Sequence, residues 1–172
     1  CIACNQACIG HMLRGFPISC IQHPETGREL EFGTSIPATR PRRVVVAGGG
    51  PGGMKAAAVA AARGHQVTLY EASTNLGGQA NLAQLLPGRA EFGGLITNLI
   101  KELELAGVEV VTGTRMDRRL IEEMQPDAVV VATGAAPYTP PLEGSDEAHI
   151  VNAWQVLRGE ANVGGNVVVA DW

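Results

Sequence analysis

Val44–Gly53 reads VVVAGGGPGG: a short apolar run that breaks abruptly into glycine. The three valines suit a buried strand, and the Ala-rich stretch Met54–Arg63 that follows suits a helix with few bulky side chains. Between them the glycines are spaced Gly48-x-Gly50-x-x-Gly53. Such a spacing means little in a chain with 22 glycines. Its context gives it weight: a strand before, a helix after, and an acidic residue, Glu71, at the end of the next apolar run, 23 positions beyond Gly48. In that setting Gly48 permits the tight turn, Gly50 lets the backbone approach a pyrophosphate beside Pro51, and Gly53 lets the helix lie close to the strand. The helix N-terminus offers free N–H groups to phosphate, and the Glu71 carboxylate accepts from ribose hydroxyls while repelling a 2′-phosphate.

Outward from this unit the chain alternates. Gln66–Tyr70 reads as a second strand after Gly64, which stands where a helix-ending glycine belongs. A loop around Gly77-Gly78 precedes a helix over Phe92–Ala106, and strands are expected at Val108–Thr112 and Ala128–Ala132. A short helix over Asn152–Arg158 and a further buried strand over Asn166–Ala170 complete the pattern. Strands alternating with helices imply a parallel sheet with right-handed crossovers, an α/β fold of the Rossmann-like kind. Two further stretches point to the ligand. Gly77-Gly78-Gln79 lies where a flavin's pyrophosphate would need close backbone approach, and the buried strand Val129–Ala132 ends in a small-residue turn at Thr133-Gly134.

The first 42 residues differ in character, with glycine and proline at short intervals, little apolar periodicity, and a linker-like PATRPRR at Pro37–Arg43. They hold every cysteine of the chain: Cys1, Cys4, Cys8 and Cys20, spaced C-x2-C-x3-C-x11-C. Disulfides suit small secreted scaffolds that lack a core, whereas this chain has one. Zinc usually takes two C-x2-C knuckles, and here the second is broken up. An iron–sulfur cluster takes several thiolates from one compact loop and another from further along, which is the pattern the spacing favours. Asn5, Gln6 and loop N–H groups stand ready to donate to sulfur.

The 172 residues carry a net charge of −4, so no basic footprint points to nucleic acid. No apolar run reaches the ~20 residues of a membrane span, and no signal peptide is visible, so a cytoplasmic location is expected. The four histidines (His11, His23, His65, His149) read as surface or packing residues, and Trp154 as core.

With both motifs in place, the chain resembles the C-terminal part of the iron–sulfur flavoproteins of the old yellow enzyme type, a group that includes 2,4-dienoyl-CoA reductase and trimethylamine dehydrogenase. The matching stretches are CIACNQAC with Cys20, VVVAGGGPGG, AARGHQVTLYEA, LGGQANLAQLLPGRAEF and VVVATGAAPYTPPLEG, which cover almost the whole chain. The cysteine spacing and AARGHQVTL look closest to the dienoyl-CoA reductase, and QHPETGRE after Ile21 looks closer to the amine dehydrogenase. The resemblance implies a [4Fe-4S] cluster on the four cysteines, FAD (or ADP) on the glycine loop, the Thr133-Gly134 turn near that FAD, and the Arg115 backbone near the adenine. It also implies an upstream barrel carrying FMN and the substrate-handling catalytic residues. The absence of an initiator Met at Cys1 and the end at Trp172 suggest a piece of a longer protein. Residues 1–42 are then the cluster loop and linker, 43–160 the first dinucleotide-binding domain, and 161–172 the start of a second, truncated one. In GGNVVVADW, Asp171 stands where that second domain's first fingerprint glycine would fall. Electron flow to a separate acceptor, such as an electron-transfer flavoprotein, is therefore expected, as in an amine dehydrogenase or demethylase. The alternatives are an NAD(P)H-dependent enoate reductase, a nucleotide-binding domain with structural zinc, or a non-enzymatic module that holds ADP.

Overall fold

A computed structural model describes residues 1–139, 141, 143–145, 147 and 149–170. It divides into two compact units, Cys1–Gly134 and Ala135–Trp172.

The first unit is built on a four-stranded parallel sheet of Arg43–Ala47 (β1), Gln66–Tyr70 (β2), Glu109–Val111 (β3) and Ala128–Val131 (β4), in the order β3-β2-β1-β4. β1 lies in the middle, with Val45 opposite Thr68 of β2 on one side and opposite Val129 of β4 on the other. β3 pairs with the far side of β2. A central parallel strand is buried on both faces, so β1 is continuous valine rather than alternating.

Helices α3 (Pro51–Ala62) and α5 (Glu91–Ala106) pack on one another and on one face of this sheet. Val44 and Val46 of β1, Val67 and Leu69 of β2, Met54 and Ala57 of α3, and Leu99 and Leu103 of α5 form one core. The small residues of α3 explain the close fit, because alanines let the helix axis approach the sheet. On the flank of the helix pair the Lys55 ammonium meets the Glu102 carboxylate at 2.8 Å. α3 is capped by Arg63 and followed by Gly64 at φ +93°, and α5 is capped by Gly107 at φ +71°, so both helices stop as the sequence signals.

Three sequence expectations need correction. Residues 1–42 are not wholly irregular, since α1 (Ile9–Leu13) and α2 (Glu29–Phe32) are short helices, each too brief to show a 3.6-residue period. The segment Ala128–Val131 is a strand but not a fully buried one, and Val131 is 75% exposed at the edge of the described sheet. Asn166–Ala170 is no strand: it joins no ladder, and Val168 is 95% exposed. A strand exists only through its neighbours' hydrogen bonds, and no described segment pairs with this one. Asp171 lies outside the described residues.

Two more short helices, α4 (Ala80–Ala83) and α6 (Arg118–Met124), complete the first unit, the latter capped by the Asp117 carboxylate accepting from Leu120 N at 2.8 Å. In the second unit α7 (Ala153–Leu157) begins with a reciprocal Asn152–Gln155 capping box. Trp154 of α7 is half-buried, with the Arg158 guanidinium 5.4 Å over its ring.

Candidate functional site

The glycine loop leaves β1 and enters α3. Gly48 has φ +114°, a conformation a side chain would strain, and a Cβ there would run into the Ala132 carbonyl at the end of β4. At Gly53 a Cβ would strike the Gly48 carbonyl, so the first turn of α3 folds directly onto the loop. Gly50 is different. It caps α3 in an ordinary extended conformation (φ −73°, ψ 176°), and nothing lies within 4 Å of the position its Cβ would take. Protein atoms thus explain why Gly48 and Gly53 are glycines but do not explain Gly50. Open space at a helix N-terminus, with Pro51 fixing the first turn, is the cradle a pyrophosphate needs.

The other sequence-predicted residues converge on this loop. Gly77 donates its N–H to the Gly49 carbonyl at 2.8 Å, and a Cβ on Gly78 would come 3.1 Å from the Gly50 Cα. Thr133 follows the β4 end on which Gly48 rests, and a Cβ on Gly134 would meet the Gln79 side chain at 3.4 Å. One wall of the cradle is therefore the loop Gly77-Gly78-Gln79, and another is the turn Thr133-Gly134. Arg115 is exposed and follows Thr114, whose N–H is bonded to the Glu71 carbonyl at 2.9 Å, so its backbone passes the end of β2.

Glu71 begins just past β2. Its Oε2 accepts from the Gly49 N–H at 2.7 Å, and its Oε1 accepts from the Ser73 N–H and hydroxyl, each at 2.8 Å. Partial burial pushes its pKa up, but the N–H groups of Ser73 and Gly49, helped by the Ser73 hydroxyl and the Ala72 backbone, outweigh that and hold it below the ordinary value. The carboxylate is therefore charged at neutral pH and fixed to the loop whose ligand it would read. Gly49 and Ser73 were not picked out by sequence reasoning. For Ser73 the signal was present: a hydroxyl two residues after an acid is a common local hydrogen-bonding pattern.

The second feature is the cysteine loop. All four cysteines are free thiols, and all four line one cavity together with Asn5 and Gln22. The backbone bond from Ser19 N to Ala7 O, at 2.9 Å, brings the Cys20 segment against the Cys8 segment. The loop is wound tightly, with Ala3 at φ +52° and Asn5 at φ +53°. A positive φ is costly for alanine, and such strain gathers where a loop is shaped around a ligand. It aims the Ala3 N–H at the Cys1 sulfur, 3.4 Å away. Among the described residues no group of three His, Cys, Asp or Glu stands close enough to hold one metal ion. The remaining histidines are as expected of packing residues where the structure pairs them: His65 Nδ1 accepts from Arg42 N at 3.2 Å, and His11 Nδ1 lies 2.9 Å from the Pro17 carbonyl. No helix among the described residues is long and apolar enough to cross a membrane.

A parallel sheet whose first strand runs through a glycine loop into a helix, with a fixed carboxylate at the end of the second strand, defines a dinucleotide-binding domain. The family model for pyridine nucleotide-disulphide oxidoreductases matches residues 42–163. A metal reductase of Desulforamulus reducens is 39% identical over 98% of this chain and 26% of its own length. An N,N-dimethylglycine/sarcosine dehydrogenase of Chromohalobacter salexigens is 42% identical over 99% of the chain and 26% of its own length. Among solved structures, 2-naphthoyl-CoA reductase in complex with 2-naphthoyl-CoA superposes with a TM-score of 0.91 at 32% identity, over 95% of this chain and 25% of that one. The chain belongs to the pyridine nucleotide-disulphide oxidoreductase family, carries its FAD-binding domain, and bears out the resemblance to iron–sulfur flavoproteins of the old yellow enzyme type. It spans about a quarter of the length of the relatives it matches.

Proposed function

We propose that this chain is the electron-relay part of a multi-cofactor oxidoreductase, holding a [4Fe-4S] cluster on Cys1, Cys4, Cys8 and Cys20 and FAD, or ADP in its place, on the glycine cradle. The observation that carries the reading is the gathering of all four cysteines of the chain on one cavity. The second C-x2-C knuckle that a zinc site usually takes is missing from the spacing C-x2-C-x3-C-x11-C, whereas three thiolates from one loop and a fourth from further along suit a cluster.

The chain's own residues then have definite tasks. Gly50, Pro51 and the first turn of α3 receive the pyrophosphate, with Gly78 and Gln79 closing over it. Glu71 orients the adenosine ribose and, being charged, disfavours a 2′-phosphate. Thr133 and Gly134 bring backbone near the flavin side, and the Arg115 backbone passes the adenine. The cysteine loop partly shields Cys4, Cys8 and Cys20 from water and offers the sulfurs N–H donors, beginning with Ala3. A cluster bound there supplies one-electron steps between an FMN barrel elsewhere in the protein and the nucleotide domain. The absence of disulfides among the four cysteines is in keeping with a reducing compartment, and our reading puts the activity in the cytoplasm.

The direction of flow we favour is outward, from an amine substrate oxidised on the barrel to a separate acceptor such as an electron-transfer flavoprotein. The dehydrogenase relative, at 42% identity, supports it, as does Asp171 in the sequence. A second reading, inward flow from NAD(P)H to an enoyl-type substrate, is supported by the TM-score of 0.91 with 2-naphthoyl-CoA reductase. Mixing the intact protein anaerobically with NADH or NADPH separates them. Outward flow leaves the flavin yellow over the first seconds, and rapid bleaching by either nucleotide establishes the second reading.

A further inference from the structure

Gln22 stands two residues beyond the fourth cysteine and lines the same cavity as all four thiols. Among the described residues, its Oε1 is buried and has no hydrogen-bond partner. Such an orphan is uncommon, because a buried amide that gives up water without a replacement is destabilising. The neighbours say what the replacement is. Besides Gln22 the cavity is lined by the four cysteines, by apolar Ile2, Ala7 and Ile21, and by the exposed Asn5, and a thiolate sulfur accepts but does not donate. The last torsion of a glutamine is broad and two-fold, so a half-turn exchanges Oε1 for Nε2 at little cost. The orientation that satisfies the amide among thiolates is the one with the NH2 group turned toward them.

We propose that the Gln22 side-chain amide donates a hydrogen bond to sulfur of the iron–sulfur cluster and raises its reduction potential. This rests on the iron–sulfur reading above. Reduction adds negative charge to the cluster, and an N–H aimed at sulfur stabilises the more negative state. The Ala3 N–H, 3.4 Å from the Cys1 sulfur, supplies one such donor from the backbone, and Gln22 supplies another from the opposite end of the motif. Gln22 touches no substrate, so its role is to position and tune. Neither Asn5 nor Gln6, the amides the sequence brings to mind first, is buried.

The test uses the intact protein, handled anaerobically. Iron and acid-labile sulfide are measured first, then the cluster's midpoint potential is followed by EPR in the unaltered protein and in Gln22→Leu, which keeps the bulk and removes the donor. The reduction equilibrium should fall about tenfold in Gln22→Leu at unchanged iron content, a shift of ~59 mV for one electron. In the unaltered protein, glutamine labelled with 15N in its side chain should give a nitrogen coupling in pulsed EPR of the reduced cluster, and the coupling should persist in Gln6→Leu. Should Gln22→Leu fail to hold a cluster, the coupling alone decides. An unchanged potential, or no coupling, overturns the role of Gln22. Absence of iron and sulfide from the unaltered protein overturns instead the iron–sulfur reading beneath it.

Discussion

Gly50→Val separates the two reasons a glycine can occupy this loop. Gly50 has an ordinary φ of −73° and no atom within 4 Å of its would-be Cβ, so a side chain can leave the backbone there without meeting protein. Glycine is a far better N-cap than valine, so the exchange costs roughly 0.5–1 kcal/mol, and the lost chain freedom of glycine in the unfolded state returns a comparable ~0.4–1 kcal/mol. Folding stability should therefore change by less than ~0.5 kcal/mol, which for a chain of this size moves the Tm by no more than about 2 °C. Nucleotide binding should behave quite differently. An isopropyl group at the mouth of α3 holds phosphate away from the loop N–H groups. Two charge-assisted hydrogen bonds lost at ~1.5–3 kcal/mol each amount to about 3–6 kcal/mol, or roughly 10²- to 10⁴-fold in Kd. Gly53→Ala is the counterpart. Its Cβ would strike the Gly48 carbonyl, a backbone atom with little freedom to move, and overpacking of this kind costs ~1–3 kcal/mol. That corresponds to a loss of about 2–12 °C in Tm. Calorimetric titration with ADP, together with thermal unfolding of both variants, gives the comparison. If Gly50→Val binds ADP as the unaltered protein does, or melts as early as Gly53→Ala, the assignment of the open space to a pyrophosphate is wrong.

Three further outcomes are expected. Cys4→Ser should drop the iron of the intact protein from about four atoms per chain to near zero and abolish most iron–sulfur absorbance; undiminished iron would place the metal elsewhere. Leu69, wholly buried in β2, should cost ~2–5 kcal/mol as Leu69→Ala in denaturant unfolding, and a smaller loss would mean that the sheet core is not as tightly filled as described. Glu71 has a folded pKa below its ordinary value of 4.5, so its stabilising contribution is present above that value and fades as pH falls through the folded pKa. The stability gap between the unaltered protein and Glu71→Gln should accordingly be largest near neutrality and shrink in acid; a gap that stayed flat from pH 7 to pH 3 would show that the charge of Glu71 contributes nothing.

The nucleotide half of the molecule was legible because its demands are local. Gly48 is required by its own backbone angle and by a neighbour one strand away, and Glu71 follows from the length of one βαβ step. The helices α3 and α5 carry their stop signals, Gly64 and Gly107, in the adjacent residues. The burial of β4 was not local in this sense. Its run of valines is the same kind of run as in β1, yet β1 lies between two strands while β4 lies at the edge of the described sheet. Composition states what a segment can bury, and the arrangement of the other segments decides whether it does. Gln22 was missed for a related reason. A glutamine in a loop reads as solvated, and nothing near it in sequence says that its amide oxygen will be enclosed beside four thiols.

Val167-Val168-Val169 presses the same distinction furthest. It repeats the valine triplet of Val44-Val45-Val46, which is buried at 7%, 3% and 0% exposure, whereas Val167, Val168 and Val169 stand at 54%, 95% and 84%. Three exposed valines in a row are an unfavourable surface, and an unpaired extended segment leaves backbone N–H and C=O groups open to any strand that comes alongside. The sequence pattern is that of a strand, and among the described residues the segment has no strand partner. The relatives are some four times longer than this chain. If the triplet pairs with residues outside the 172 described by the sequence, backbone amides of 167–169 should be slow to exchange hydrogen in the intact protein and fast in the isolated chain. Fast exchange in both would mean that the resemblance of this triplet to β1 is one of composition alone.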